Sequence, residues 1–137
     1  MQATITSKKI TCVPVRDDAD EIVGIMLAQL LKRAGYSAKV IPIGTVEGML
    51  AETSKSEPDI VCLSALPPYA ISHARNLYRR MRTQNAELKI IVGLWNYTED
   101  LAKAANEISG GEPTEIRTTL AQITLQTSSV LGVPSEK

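Results

Sequence analysis

The sequence predicts a three-layer α/β/α domain built on a five-stranded, mainly parallel sheet. Three observations predict it. Apolar, β-branched runs of strand length alternate with amphipathic helical segments along nearly the whole chain. The third run, residues 59–64 (DIVCLS), is apolar almost throughout, as expected of a central parallel strand covered on both faces. Finally, 137 residues with 44% apolar and 22% charged content suit one well-filled core and exclude a disordered or fibrous chain.

Residues 9–15 (KITCVPV) form the first predicted strand. Ile22, Val23, Met26, Leu27, Leu30 and Leu31 recur at helical spacing and predict a helix over 20–34. Asp17 or Asp18 caps it, Asp20 and Glu21 suit its positive first turn, Lys32 and Arg33 its last, and Gly35 ends it. Residues 38–43 (AKVIPI) are the second strand, and a weaker helix over 46–54 follows Gly44 until Glu57-Pro58 stops it. After the third strand, a turn holding Pro67 and Pro68 opens a helix running to about residue 83, since proline is tolerated in a helix's first turn. Residues 89–95 (KIIVGLW) are the fourth strand, 98–108 its helix, and Gly110-Gly111 the break. Residues 115–118 read as a short edge strand and 120–130 as a final amphipathic helix. Right-handed crossovers between such units give the flavodoxin-like order 2-1-3-4-5 in a single domain, 1–137, with 8–130 as its ordered core.

Fifteen acidic residues balance fifteen basic ones, which argues against a dedicated nucleic-acid binder. Cys12 and Cys62 each fall inside a predicted strand with no CxxC spacing, so both read as small core hydrophobes in a reducing cytoplasm. Residues 1–10 lack a signal-peptide apolar run and no stretch approaches the ~20 apolar residues of a membrane span, so a soluble, cytoplasmic domain is expected.

In this layout the C-terminal ends of the strands gather Arg16 to Ala19, Ile43 to Thr45, Ser64 to Tyr69, Trp95 to Thr98, and Thr118 with Thr119. The first of these lies in Val15-Arg16-Asp17-Asp18-Ala19-Asp20-Glu21, four carboxylates in five positions. A phosphate cradle needs glycines and no competing negative charge, so a nucleotide loop is disfavoured there. The candidate ligand-binding residues are Arg16, Asp17, Asp18, Ser64, Ala65, Pro67, Tyr69, Trp95 and Asn96. Trp95 and Tyr97 with Asn96 between them suit stacking on a planar ligand, or equally a loop plug or core packing. Ser64 has no sequence-evident base and no G-x-S-x-G elbow, so no catalytic residue is assigned, and no metal ligand set is seen. His73, Arg75, Arg79, Arg80 and Arg82 crowd one helix opposite a stripe of Ile71, Ala74, Leu77, Tyr78 and Met81. This is either a solvated exterior or, through His73, Arg75, Arg79 and Arg82, a surface for anions, an acidic partner or lipid headgroups.

Asp17 and Asp18 resemble the acidic pair of response-regulator receivers. The phospho-acceptor position falls at Ser64 or Ala65, however, and Arg117 to Thr119 stand where the lysine would follow the fifth strand, so phosphoryl transfer by that route fails. Leu63-Ser64-Ala65-Leu66 resembles the Leu-Ser-x-Leu segment of cobalamin-binding domains. In the Asp-x-His-x-x-Gly loop of those domains this chain keeps the aspartate but has Ala19 for the cobalt-ligating histidine and Ile22 for the glycine, and Gly93-Leu94 keeps one glycine of the Gly-Gly segment. A cobalt–histidine bond at that loop is excluded, and Trp95 is expected to narrow the slot for the cofactor's nucleotide tail.

Arg16 to Glu21, Met26 to Leu31, Leu63 to Pro68 with Ala74-Arg75, and Ile91 to Trp95 resemble the cytosolic C-terminal domain of bacterial autoinducer-2 exporter-type permeases. The resemblance implies a non-catalytic regulatory or ligand-sensing domain, at the inner face of the membrane and not an enzyme. Expected partners are the permease or a second copy, with an unassigned small molecule and no nucleic acid. No cofactor is required; cobalamin or a related nucleotide-like cofactor held without histidine is the alternative.

Overall fold

The computed structural model describes residues 9–66, 70–95, 97–110 and 115–117. Strands β1 (Lys9–Pro14), β2 (Ser37–Val40), β3 (Ile60–Ala65) and β4 (Lys89–Leu94) form a parallel sheet in the order β2-β1-β3-β4. Helices α1 (Asp18–Arg33), α2 (Val46–Ser56), α3 (Ala70–Gln84) and α4 (Leu101–Ser109) connect and follow them. Glu115–Arg117 (β5) runs parallel beside Ile91–Gly93 of β4. Residues 67–69, 96, 111 and 118–130, on which the proline turn, Tyr69, Asn96, the second glycine of the break and the last predicted helix fall, lie outside the described residues.

Period-two alternation splits the core into two layers. Val13, Val61, Leu63, Ala65, Val92 and Leu94 face a cluster supplied by α2, α3 and α4. Ile10, Cys12, Ile60, Cys62, Ile91 and Trp95 face the other way, where Leu27, Ala28 and Leu31 of α1 cover them. All six residues of β3 are buried, which accords with its uninterrupted apolar sequence and central place.

The helix boundaries follow the caps. Asp17, extended at φ −142° and ψ −175°, caps α1, so the helix begins at Asp18, ahead of the start at residue 20 expected from the sequence. Asp100 does the same for α4, which starts at Leu101 and not at 98. At the other end of α1, Gly35 takes φ 102°; its N–H donates to Lys32 O at 3.0 Å and that of Tyr36 to Leu31 O at 3.1 Å, the two bonds of a Schellman motif. The predicted second strand is shorter than expected: Ile41 N–H still donates to Cys12 O at 3.0 Å, but Pro42 has no N–H with which to continue. In α1 only part of the apolar spacing is core. Gly24, Leu27, Ala28 and Leu31 are buried, whereas Ile22 and Met26 are exposed.

Candidate functional site

The acidic string turns out to be wiring between three loops at the C-terminal edge of the sheet. Asp17 and Asp20 form a reciprocal capping box, each backbone N–H donating to the other's carboxylate at 3.3 Å. Asp20, only 2% exposed, also accepts from Leu66 N–H at 2.8 Å, which ties the loop after β1 to the loop after β3. Glu21 accepts from Ile43 N–H at 3.1 Å and brings in the loop after β2. Burial pushes the Asp20 carboxyl above its ordinary value, against the N–H donors of Leu66 and Asp17, and the Asp17 charge adds to the rise. Arg16 pairs with Asp17 at 3.5 Å with both side chains nearly half exposed, a contact worth little. Asp18 points into solvent. The sequence marks Asp17 and Asp18 as candidates, but the deeply engaged carboxylate is Asp20; a third acid facing inward at capping-box spacing is the signal that identifies it.

Ser64 and Trp95 lie on the same face of the sheet, on either side of Gly93's position. Ser64 is fully buried at the end of β3, in register with Pro14 on one side and Gly93 on the other. Its hydroxyl faces α1: a methyl on Gly24 would lie 4.0 Å from Ser64 Oγ. Trp95 N–H donates to Ala65 O at 3.1 Å, while the indole folds back over Gly93, where a Cβ would lie 2.2 Å from Cζ2. With 5% exposure the indole is no open stacking platform; it fills the space that the missing Gly93 side chain leaves. Spacing of i and i+2 puts Gly93 and Trp95 on one face of the strand. Both Ser64 Oγ and Trp95 Nε1 are buried without a hydrogen-bond partner among the described residues. Ala65, the next candidate, projects into the opposite layer with Ala74 and Leu77. Directly behind Ser64 on the same face, Cys12 and Cys62 sit side by side in register, both fully buried. Contact with Cys12, then burial, pushes the Cys62 thiol well up.

The basic helix α3 divides into engaged and open cations. Arg79 donates to the carbonyls of Glu107 and Ile108, both at 3.3 Å, and so closes the C-terminal end of α4. Arg82 donates to Ala86 O at 3.1 Å, to Leu88 O and to the Tyr78 hydroxyl, and lies 5.2 Å from that ring's centre. Arg80 reaches Glu47 of α2 at 3.3 Å, where Glu47's own backbone N–H, and then the Arg80 guanidinium, hold the exposed carboxyl down. Of the predicted anion surface, exposed Arg75 and half-buried His73 are left without such a bond among the described residues. Arg75 borders a shallow hollow of about 310 Å³ with Ser72, Asn76 and Thr83. A larger groove of about 470 Å³ lies at the opposite, N-terminal edge of the sheet, floored by Leu50, Met81 and Leu88 and rimmed by Glu57, Gln84 and Asn85.

Among the described residues no three His, Cys, Asp or Glu side chains gather as a metal set, and no helix is long and apolar enough to cross a membrane. The chain matches no family model and no curated protein. Solved structures do match. A cobalamin-binding protein from Desulfitobacterium hafniense superposes with a TM-score of 0.72 at 17% identity, over 90% of this chain and 58% of that one. The methanol:cobalamin methyltransferase complex from Methanosarcina barkeri gives 0.71 at 13% identity, over 93% and 48%. A response regulator of the LuxR family from Aurantimonas gives 0.62 at 17% identity, over 92% and 86%. This chain therefore spans about half the length of the two cobalamin proteins. Its fold is the flavodoxin-like one shared by cobalamin-binding and receiver domains.

Proposed function

We propose that this chain is a non-catalytic regulatory or ligand-sensing domain that works beside a membrane permease at its cytoplasmic face. One observation carries the reading: Ser64 Oγ and Trp95 Nε1 are buried on one sheet face, and neither has a hydrogen-bond partner among the described residues. A buried unsatisfied donor costs about 1–3 kcal/mol, and a small molecule offering an acceptor to the indole and a partner to the hydroxyl removes that cost. The surroundings do not suit attack by Ser64. Asp20 is held by Leu66 and Asp17, and His73 belongs to α3, which packs on the other face. In this reading the sheet is the five-stranded one of order 2-1-3-4-5, with Glu115–Arg117 as its outer strand. Arg75, with His73 two residues before it on the same helix, is left for a permease loop or anionic headgroups.

Native mass spectrometry of the purified chain and of Ser64→Ala tests it. A small molecule should copurify with the wild type and bind Ser64→Ala at least tenfold more weakly, although the variant is as stable as the wild type or up to about 1 kcal/mol more so. Absence of any such molecule, or equal binding by both, rejects the reading.

The second reading, cobalamin or a related cofactor held without histidine, is favoured by the fold likeness and by Ser64 beside Gly93. The residues as built do not fit the cofactor: Ala19 offers no ligand, and the Trp95 indole occupies the space over Gly93. Spectral titration with hydroxocobalamin and adenosylcobalamin separates the two readings. No change is expected for the wild type; a shifted spectrum at micromolar cofactor would favour the second.

A further inference from the structure

Helix α1 leaves three large apolar side chains in solvent: Ile22 at 58% exposure, Ile25 at 43% and Met26 at 50%. They are not part of its core side, which Gly24, Leu27, Ala28 and Leu31 supply. With exposed Gln29 they form a second stripe at i, i+3, i+4 and i+7, on the outward surface of the helix. Contiguous exposed apolar side chains of this kind mark contact surfaces.

The charges at the two ends of the helix are opposite. Asp18 is exposed in the first turn, and Lys32 and Arg33 are exposed in the last. Each suits its own helix dipole, yet none forms an ion pair among the described residues. Both the helix and its outward stripe are centred between residues 25 and 26. A two-fold axis through that point lays a second α1 antiparallel on the first. Asp18 then opposes Arg33, Ala19 opposes Lys32, Ile22 opposes Gln29, and Ile25 opposes Met26. The surface is thus complementary to itself under a two-fold, as an isologous contact requires.

We infer that α1 is a homodimer interface, with a second copy of this chain packed antiparallel on Ile22, Ile25 and Met26. One helix about 24 Å long gives a contact at the small end of specific interfaces, so the dimer is reversible and its mass depends on concentration.

Sedimentation velocity from about 10 to 500 μM tests the inference, since a small interface of this kind belongs to the weak, transient class. The mean mass should climb from 14.9 kDa toward twice that value. Met26→Lys should stay monomeric throughout with an unchanged far-UV circular dichroism spectrum, because the side chain is half in solvent already. Geometry is read by mild oxidation of single-cysteine variants, with buried Cys12 and Cys62 silent. Met26→Cys, next to the axis, should link to its own mate. Ile22→Cys should link only when Gln29→Cys is added. A chain that remains monomeric at 500 μM, a dimer indifferent to Met26→Lys, or Ile22→Cys alone linking as readily as Met26→Cys would each overturn it.

Discussion

Asp20 is a carboxylate that nearly leaves water in order to hold two loops together, and both halves of that description have measurable consequences. Its oxygens accept from Leu66 and Asp17 N–H groups, so Asp20→Asn, which replaces one acceptor by a donor, should cost about 1–3 kcal/mol at neutral pH. The pH dependence has the opposite character. Because burial raises the folded pKa above the ordinary 3.8, the folded protein binds the proton more tightly, and the group's contribution falls as pH rises through the window just above 3.8. Above the folded value that penalty is complete; below 3.8 it is absent. Denaturant titrations of both proteins between pH 3.5 and 7 should therefore show the cost of Asp20→Asn shrinking toward neutrality. A cost independent of pH would mean that the carboxyl titrates alike in both states.

At the level of elements, β4 and the residue after it work as a unit, since the Trp95 indole occupies the place of a Gly93 side chain. Gly93→Ala must push the indole off the sheet and should cost at least about 1–3 kcal/mol. Trp95→Ala should cost about 3–5 kcal/mol by leaving a hole beside Ser64. The two are coupled: once the indole is gone, the added methyl partly fills the hole, so the double variant should be more stable than Trp95→Ala alone. Urea midpoints of the four proteins measure the cycle, and strict additivity would show that the ring does not sit on Gly93. This arrangement also shows what the sequence can reveal and what it cannot. Alternation and capping residues fix the strand–helix order, the central place of β3 and the edge at which Asp17 and Ser64 lie. Whether an aromatic at a strand end stands outward as a platform or folds back as a plug depends on the gap left by a glycine two residues earlier, and period-two spacing allows either. The role of Arg79 and Arg82 was likewise hidden, because the carbonyls they hold belong to α4 and to the loop before β4, far from them in sequence or absent from any side-chain pattern.

For the molecule as a whole, the layering makes its two thiols reporters of global opening. Each cysteine alone reads as a small hydrophobe; only the strand order, which places β1 against β3, sets Cys12 beside Cys62. Both are fully buried beneath α1, and the Cys62 thiol is pushed well up, so neither the access nor the thiolate needed for reaction exists in the native state. No local loop movement exposes them, because α1 is anchored at its first turn by Asp17 and Asp20 and at its last by the Gly35 turn. Labelling by Ellman's reagent at pH 8 should therefore proceed through unfolding: both thiols should react together, at a rate that rises with urea along the slope of the equilibrium transition. Asp20→Asn and Trp95→Ala should speed labelling in proportion to the stability they lose, whereas Met26→Lys, on the outer surface of the same helix, should leave the monomer's rate unchanged. Rapid reaction of one thiol in the absence of urea would show instead that α1 lifts from the sheet by itself, with β1 and β3 still paired beneath it.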